Sequence, residues 1–204
     1  MSNGLWSLKT VNIRDYADDK HKTVDDTVFG GGSGMLMKPD IVANSLDKNI
    51  SKGEKIFYLS PKGKKFNQSF DNSLSKQNGI NLICGHFEGV DDRLLSTRNI
   101  EEISIGDYVL SGGETAAFVI LDAVLRLIPG VLGNKESIKD ETFENSLLEY
   151  PQFTKPKIWE GKSVPDVLFS GDHAKIKSWR LSQSEDITRR QRPDLWRKYL
   201  DKKK

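Results

Sequence analysis

Three short apolar runs constrain this chain more than anything else in it: "KIFYLSP" (55–61), "INLICG" (80–85) and "DYVLSG" (107–112). Each is rich in β-formers and each stops at Pro or Gly, the residues that punctuate strands. Their spacing leaves room for a helix between each pair, which is the rhythm of βαβ units. Runs that are apolar throughout, rather than alternating, belong to strands buried on both faces, as in a parallel sheet. The expected fold is therefore α/β with a parallel sheet at its centre.

Helix signals fall between and after these runs. Pro39 at a first helical position, followed by Ile41, Val42 and Leu46, predicts a helix over Pro39–Lys48. Ser111-Gly112-Gly113-Glu114 fits the S-x-x-E capping box, so a helix is expected to open there. Residues 116–128 leave so little polar surface that their helix must be buried, in a core or a subunit interface. Asp122 and Arg126 are spaced to pair on one face of it, and Pro129-Gly130 ends it. A further helix follows "EGVDDR" (88–93), where Glu88 by itself reads as an acid favouring a helix start.

With 204 residues the chain has room for one large domain, or a medium one plus a small one. The polar stretch "GNKESIKDETFENS", followed by Pro151, Pro156 and Pro165, marks a change. We read residues 1–132 as one domain, 133–148 as a linker and 149–204 as a second domain. The second ends in two short helical stretches around Trp179 and Trp196. The net charge of +2 hides an asymmetry: residues 173–204 hold eleven Lys/Arg against four acids. A basic end of this kind faces nucleic acid, or is simply a solvated tail.

Several classes of function lose support. A lone Cys84 excludes an intramolecular disulfide and points to a reducing cytoplasm. The longest apolar stretch is too short for a membrane span and is broken by Asp122 and Arg126. Met1 to Gly4 do not begin a secretory signal. Neither G-x-x-x-x-G-K-[ST] nor G-x-G-x-x-G is present. The cluster Gly30 to Gly34 follows no clear strand and reads as a loop. His21, His86 and His173 are isolated, one cysteine cannot build a zinc site, and no serine sits in a nucleophile elbow. What remains is a set of glycine-lined strand ends, "YLSPKG", "CGHFEG" and "LSGGE". Ligands of open α/β sheets bind beyond such carboxyl ends, and bare backbone there suits a flat ring held by main-chain groups. Ordinary tight βα turns would look the same, and the residues alone leave both readings open.

The segments "HKTVDDTVFGGGSGMLMKP", "YLSPKGKKF", "CGHFEGVDDR", "SIGDYVLSGGE", "RLIPGVLGN", "LLEYPQFTKP" and "LFSGDHAKIKSWRLSQS" occur in this order. Together they resemble the bacterial tRNA (guanine-37-N1)-methyltransferases over essentially the whole chain from Gly4. The resemblance implies the trefoil-knotted SPOUT fold of the SpoU–TrmD superfamily, with a small helical C-terminal domain that grips tRNA. It also implies a cytoplasmic homodimer with active sites at its interface, and S-adenosylmethionine bound in the knot. The reaction would place a methyl group on N1 of guanine 37. Family members use magnesium, and no dedicated metal cage stands out in the sequence.

By position, the resemblance assigns the cofactor pocket to Tyr58, Leu59, Ser60 and Pro61, to Gly85 and Glu88, and to Ile105, Gly106, Tyr108, Leu110, Gly112 and Gly113. Glu88 would face the cationic methionine end. The catalytic base falls on Glu141, where the family has aspartate, with Asp140 beside it as the other candidate. Arg126 would stabilise charge on guanine O6, or hold the base and cofactor. Without the resemblance both acids read as solvated linker charges. Lys175, Lys177, Arg180, Arg189, Arg190 and Arg192 would contact phosphates. Trp179 has the spacing of a packing residue, with base stacking as its other role. Two departures stand out. His86 and Phe87 replace the family's usual arginine and tyrosine, and the first strand and helix usual in the family, with a "FPEMF"-like run, do not precede "NGLWSL". The shorter start and the changed base leave a second reading, a catalytically impaired RNA-binding protein of the same fold.

Overall fold

The computed structural model describes residues 4–131, 143 and 146–203. Glu141 and Asp140 lie outside the described residues. The chain forms two compact units, Met1–Gly133 and Asn134–Lys204.

In the first unit, β1 (Asp25–Thr27) and β2 (Met35–Met37) pair as an antiparallel hairpin. Helix α1 (Pro39–Asn49) follows, then β3 (Ile56–Lys65), α2 (Gln68–Leu74), β4 (Asn81–Ile83), α3 (Asp92–Thr97), β5 (Glu101–Ser104) and α4 (Glu114–Leu127). The last three strands form a parallel sheet in the order β4–β3–β5. β3 is its centre, and its side chains alternate between two cores as the period of two requires. Ile56 and Tyr58 face Val42 and Leu46 of α1, Leu94 of α3 and Ile83. Phe57 and Leu59 face Leu74 of α2, Ile103, and Ala117, Ile120 and Val124 of α4. Helices thus cover both faces of a parallel sheet, as the apolar runs predicted.

The third run is misplaced in the sequence reading. The strand is Glu101–Ser104, whereas Tyr108, Val109 and Leu110 lie exposed in the loop after it, Val109 at 86%. Gly106, with φ of 157°, turns the chain out of the sheet. The capping box also fails. The N-cap of α4 is Gly113, with no side-chain cap hydrogen bond, so Ser111 lies two residues too early. The end of α4 is as read, because Ile128 takes extended dihedrals ahead of Pro129. Only one face of this apolar helix is covered: Ile120 is fully buried while Phe118 is 69% exposed. The glycine run 30–34, read as following no strand, is the turn of the β1–β2 hairpin. Beside β4, the outer strand, runs a groove of about 680 Å³ whose walls include Leu8, Ile13, Leu46, Leu82 and Phe118.

In the second unit, β6 (Ile158–Trp159) and β7 (Lys162–Ser163) form a small hairpin ahead of α5 (His173–Gln191) and α6 (Pro193–Lys203). Asp172 caps α5 by accepting from the Lys175 amide at 3.0 Å, and Pro193 separates the helices. Thr188, fully buried, donates to the Ser184 carbonyl at 2.6 Å and accepts from the Leu148 amide at 2.8 Å. Tyr199 donates to Glu185 at 2.5 Å, tying α6 to α5. Among the described residues no helix is long and apolar enough to cross a membrane.

Candidate cofactor pocket and catalytic residues

Tyr58 of β3, the loop after β4 and the start of α4 meet in one place, and glycines make this possible. The Gly113 amide donates to the Gly85 carbonyl at 3.0 Å, joining the start of α4 to the loop after β4. A Cβ on Gly113 would lie 2.6 Å from Cys84 Cα, and one on Gly85 would lie 2.7 Å from the Tyr58 ring. Neither position has room for a side chain, so the loops can pack this closely only because both residues are glycine. Gly63, further along β3, is tighter still: a Cβ there would collide with the backbone of Glu102 and Ile103.

Tyr58, Leu59 and Ser60 are buried in the first half of β3, and Pro61 is exposed directly after them, where the pairing with β5 shifts register between Leu59 and Lys64. The Tyr58 hydroxyl is pushed up by burial, against a hydrogen bond with the Val90 main chain. Ser104 and Gly106 close a small turn after β5, the Gly106 amide donating to Ser104 Oγ at 3.2 Å. Ile105 is half-buried, while Tyr108 and Leu110 are exposed on the loop that leads through Gly112 into α4.

Glu88 is held differently. Its amide donates to the Met35 carbonyl at 2.9 Å, and Met37 donates to the Gly89 carbonyl at 2.9 Å, fastening the loop after β4 to β2. A Cβ on Gly34 would reach within 2.6 Å of the Glu88 carboxylate, so this acid faces the glycine turn of the hairpin. Phe87, between Glu88 and His86, takes a φ of 58° and leaves its ring half-exposed. The contacts therefore bring together Tyr58, Gly85, Gly112 and Gly113, with Ile105 and Gly106 in the turn after β5, while Glu88 looks toward residues 30–34.

Two relationships were missed from sequence. His86 Nε2 lies 2.6 Å from Glu114 Oε1 across the Gly85–Gly113 junction. Partial burial is the largest single influence and works to raise the Glu114 carboxyl, yet the hydrogen bond and charge of His86 together with a backbone hydrogen bond bring the net shift downward. Burial, with Glu114 adding to it, pushes the neighbouring Cys84 thiol up to about 11. The other relationship involves Arg126, in the last turn of α4. Its charge acts on Asp71 of α2, which is 2% exposed and has one carboxylate oxygen, Oδ1, with no hydrogen-bond partner among the described residues. Burial pushes this carboxyl up to about 6, and Arg126 holds it partly down. No periodicity in "QSFDNSL" singles Asp71 out.

These features fit a flat, neutral ring bound by main-chain groups, since bare glycine backbone is what such a ligand approaches. Arg126 is remote from that junction, because thirteen residues of α4 separate it from Gly113, about 20 Å at the helical rise. Among the described residues no three His, Cys, Asp or Glu side chains are grouped to hold a metal ion.

Comparison with known proteins adds an independent line. Residues 1–198 match the family described as tRNA (Guanine-1)-methyltransferase TrmD. The tRNA (guanine-N(1)-)-methyltransferase of Pelagibacter ubique is 72% identical over 199 residues, covering 98% of this chain and 87% of the relative. Those of Brucella canis and Bartonella tribocorum are each 54% identical over 98% of this chain, and over 81% and 85% of their own lengths. A match over residues 1–198, on an α/β fold with a parallel sheet, means that the chain belongs to the tRNA (guanine-1)-methyltransferase TrmD family.

Proposed function

We propose that the chain is a cytoplasmic, S-adenosylmethionine-dependent methyltransferase that modifies N1 of guanine 37 in tRNA. The observation that carries this reading is family membership over residues 1–198, and the close packing of glycines where Tyr58, Gly85 and Gly113 meet supports it. Tyr58, Leu59, Ser60 and Pro61, Gly85, Ile105, Gly106, Tyr108, Leu110, Gly112 and Gly113 form that pocket. Glu88 approaches it from the hairpin side. When bound, S-adenosylmethionine supplies an electrophilic methyl group.

The chain's own residues then have two tasks. A carboxylate, Glu141 or its neighbour Asp140, takes the proton from guanine N1 so that this nitrogen carries a lone pair. Arg126 faces the negative charge that this leaves on O6. The distance of Arg126 from the Gly113 junction supports a homodimer in which α4 of one protomer serves the pocket of the other. The half-exposed apolar face of α4, with Phe118 and Val119, supports the same arrangement.

Labelled-methyl transfer to tRNA transcripts tests the proposal. Label should enter a transcript with guanine at position 37 and not one with adenine there. Failure to label either, with S-adenosylmethionine still bound in calorimetry, would leave an RNA-binding protein without the activity.

A further inference from the structure

A second cavity lies wholly within the C-terminal unit, where no cofactor residue is assigned. It has a volume of about 510 Å³ and is open to solvent. Four aromatic rings contribute to its walls: Tyr150, Phe153, Phe169 and Trp179. Phe153 and Trp179 are 6.3 Å apart between ring centres and tilted by 50°, so they form an open notch rather than a closed stack. Phe153 is 47% exposed and Phe169 55%. Rings of this size left open at a cavity mouth mark an interaction site.

The charges say what it takes. Lys155, Lys157 and Arg180 line the cavity, and among the described residues no acid does. Arg180 already lies 4.8 Å over the Tyr150 ring and Lys157 4.5 Å over the Phe169 ring. Cations lying over aromatic faces at the edge of an apolar notch suit a ligand that is aromatic in one part and anionic in another. Lys157 has Asp166 at 3.8 Å, and a proline-rich peptide would use the rings but offer no counter-charge to Lys155 and Arg180. An unpaired nucleotide uses both.

We propose that this cavity binds an unpaired nucleotide of the RNA substrate, its base against Phe153 and Trp179 and its phosphates met by Lys155, Lys157 and Arg180. The proposal rests on the tRNA-methyltransferase reading. It makes the C-terminal unit a reader of single-stranded structure as well as a source of positive charge. A base inside a duplex is not available to such a notch, because both its faces are already stacked.

The test uses the full chain with a fluorescent tRNA transcript and with a fully paired RNA duplex, followed by anisotropy. Phe153→Ala should weaken tRNA binding about tenfold and leave the slope of log affinity against log salt unchanged, since a ring neutralises no phosphate. Phe153→Tyr should keep the parental affinity. Arg180→Gln should flatten the salt slope by about one. Duplex binding should be insensitive to Phe153→Ala. Because Phe153 is half-exposed its loss should spare the fold, which a melting curve checks. If Phe153→Ala melts early, Phe169→Ala takes its place with the same expectations. Unchanged tRNA affinity in the alanine variant, or an equal loss on the duplex, overturns the proposal and leaves a packing defect or a peptide groove. A parental chain that neither binds nor methylates tRNA sinks the enzyme reading instead, so the two failures are distinguishable.

Discussion

His86 Nε2 stands 2.6 Å from Glu114 Oε1 and so bolts the loop after β4 to the first turn of α4. The acid sits where the helix dipole also favours it. Both side chains are about half exposed, which keeps the contribution small. Glu114→Gln should weaken S-adenosylmethionine binding roughly threefold in calorimetry, within the range of about 1 kcal/mol for such pairs. Because the Glu114 carboxyl is held below its ordinary range, the pair should persist through neutral pH and be lost only as pH falls below that range. An unchanged affinity would make the pair incidental to the pocket.

Asp71 makes the first unit's stability depend on pH in an unusual direction. Its folded-state carboxyl is pushed from 3.8 up to about 6, so the folded state holds the proton more tightly than the unfolded chain. Stability should fall as pH rises from about 4 to about 6, by on the order of 3 kcal/mol in total, and then level off. Asp71→Asn should abolish that slope in urea unfolding and raise the midpoint at pH 7. A slope that survives the substitution would place the titration elsewhere.

Gly113→Ala should be among the most damaging single-methyl changes in the chain. The new Cβ would meet Cys84 Cα at 2.6 Å and the Gly85 amide nitrogen at 3.0 Å, both backbone atoms that cannot swing aside. A loss of about 2–4 kcal/mol is expected, with cofactor binding gone. Gly79→Ala is the control, since nothing lies within 4 Å of its Cβ. It should be neutral or slightly stabilising, by up to about 1 kcal/mol, through the unfolded state. Equal effects of the two in thermal unfolding would refute the steric account.

Cys84 should be a poor nucleophile despite lying beside the pocket. With its thiol pushed up to about 11, against an ordinary value of 9.0, its thiolate fraction at pH 8 is lower by about a hundredfold. Reaction with an aromatic disulfide reagent should be slow at pH 8 and accelerate toward pH 10. Rapid modification at pH 8 would contradict the burial.

How far the sequence could be read depended on whether a signal was local. Pro39 and Pro129 act on their own dihedrals, and the helix boundaries they predict agree with α1 and α4. Ile56 to Leu59 and Asn81 to Ile83 are buried strands, as their apolarity requires. "DYVLSG" has the same apolarity yet lies exposed, because a hydrophobic pattern reports that a surface is to be kept dry, not what covers it. The capping box failed for a tertiary reason. Gly113 must pack on Cys84, which moves the helix start two residues past the serine. The meeting of Tyr58, Gly85 and Gly113 is invisible to periodicity, since more than fifty residues separate the first from the last. The resemblance supplied those names, and the geometry supplied the reason that two of them are glycine. The acids at 140 and 141 lie outside the described residues, so their place in the site is a matter for the transfer assay.

The side chain of Tyr58 meets two glycines: a Cβ on Gly85 would lie 2.7 Å from its ring, and one on Gly89 would lie 2.7 Å from its hydroxyl. The two positions therefore share a single tenant. Whichever glycine first acquired a side chain would have to displace the outer end of the tyrosine, and once that was gone the other would have lost that obstacle, leaving Gly89 only the strain of its φ of 110°. Substitutions there are epistatic, with a double change costing less than the sum of the singles. A lineage that kept the tyrosine is held to both glycines at once, while one that lost it would be released from the steric demand of both in a single step.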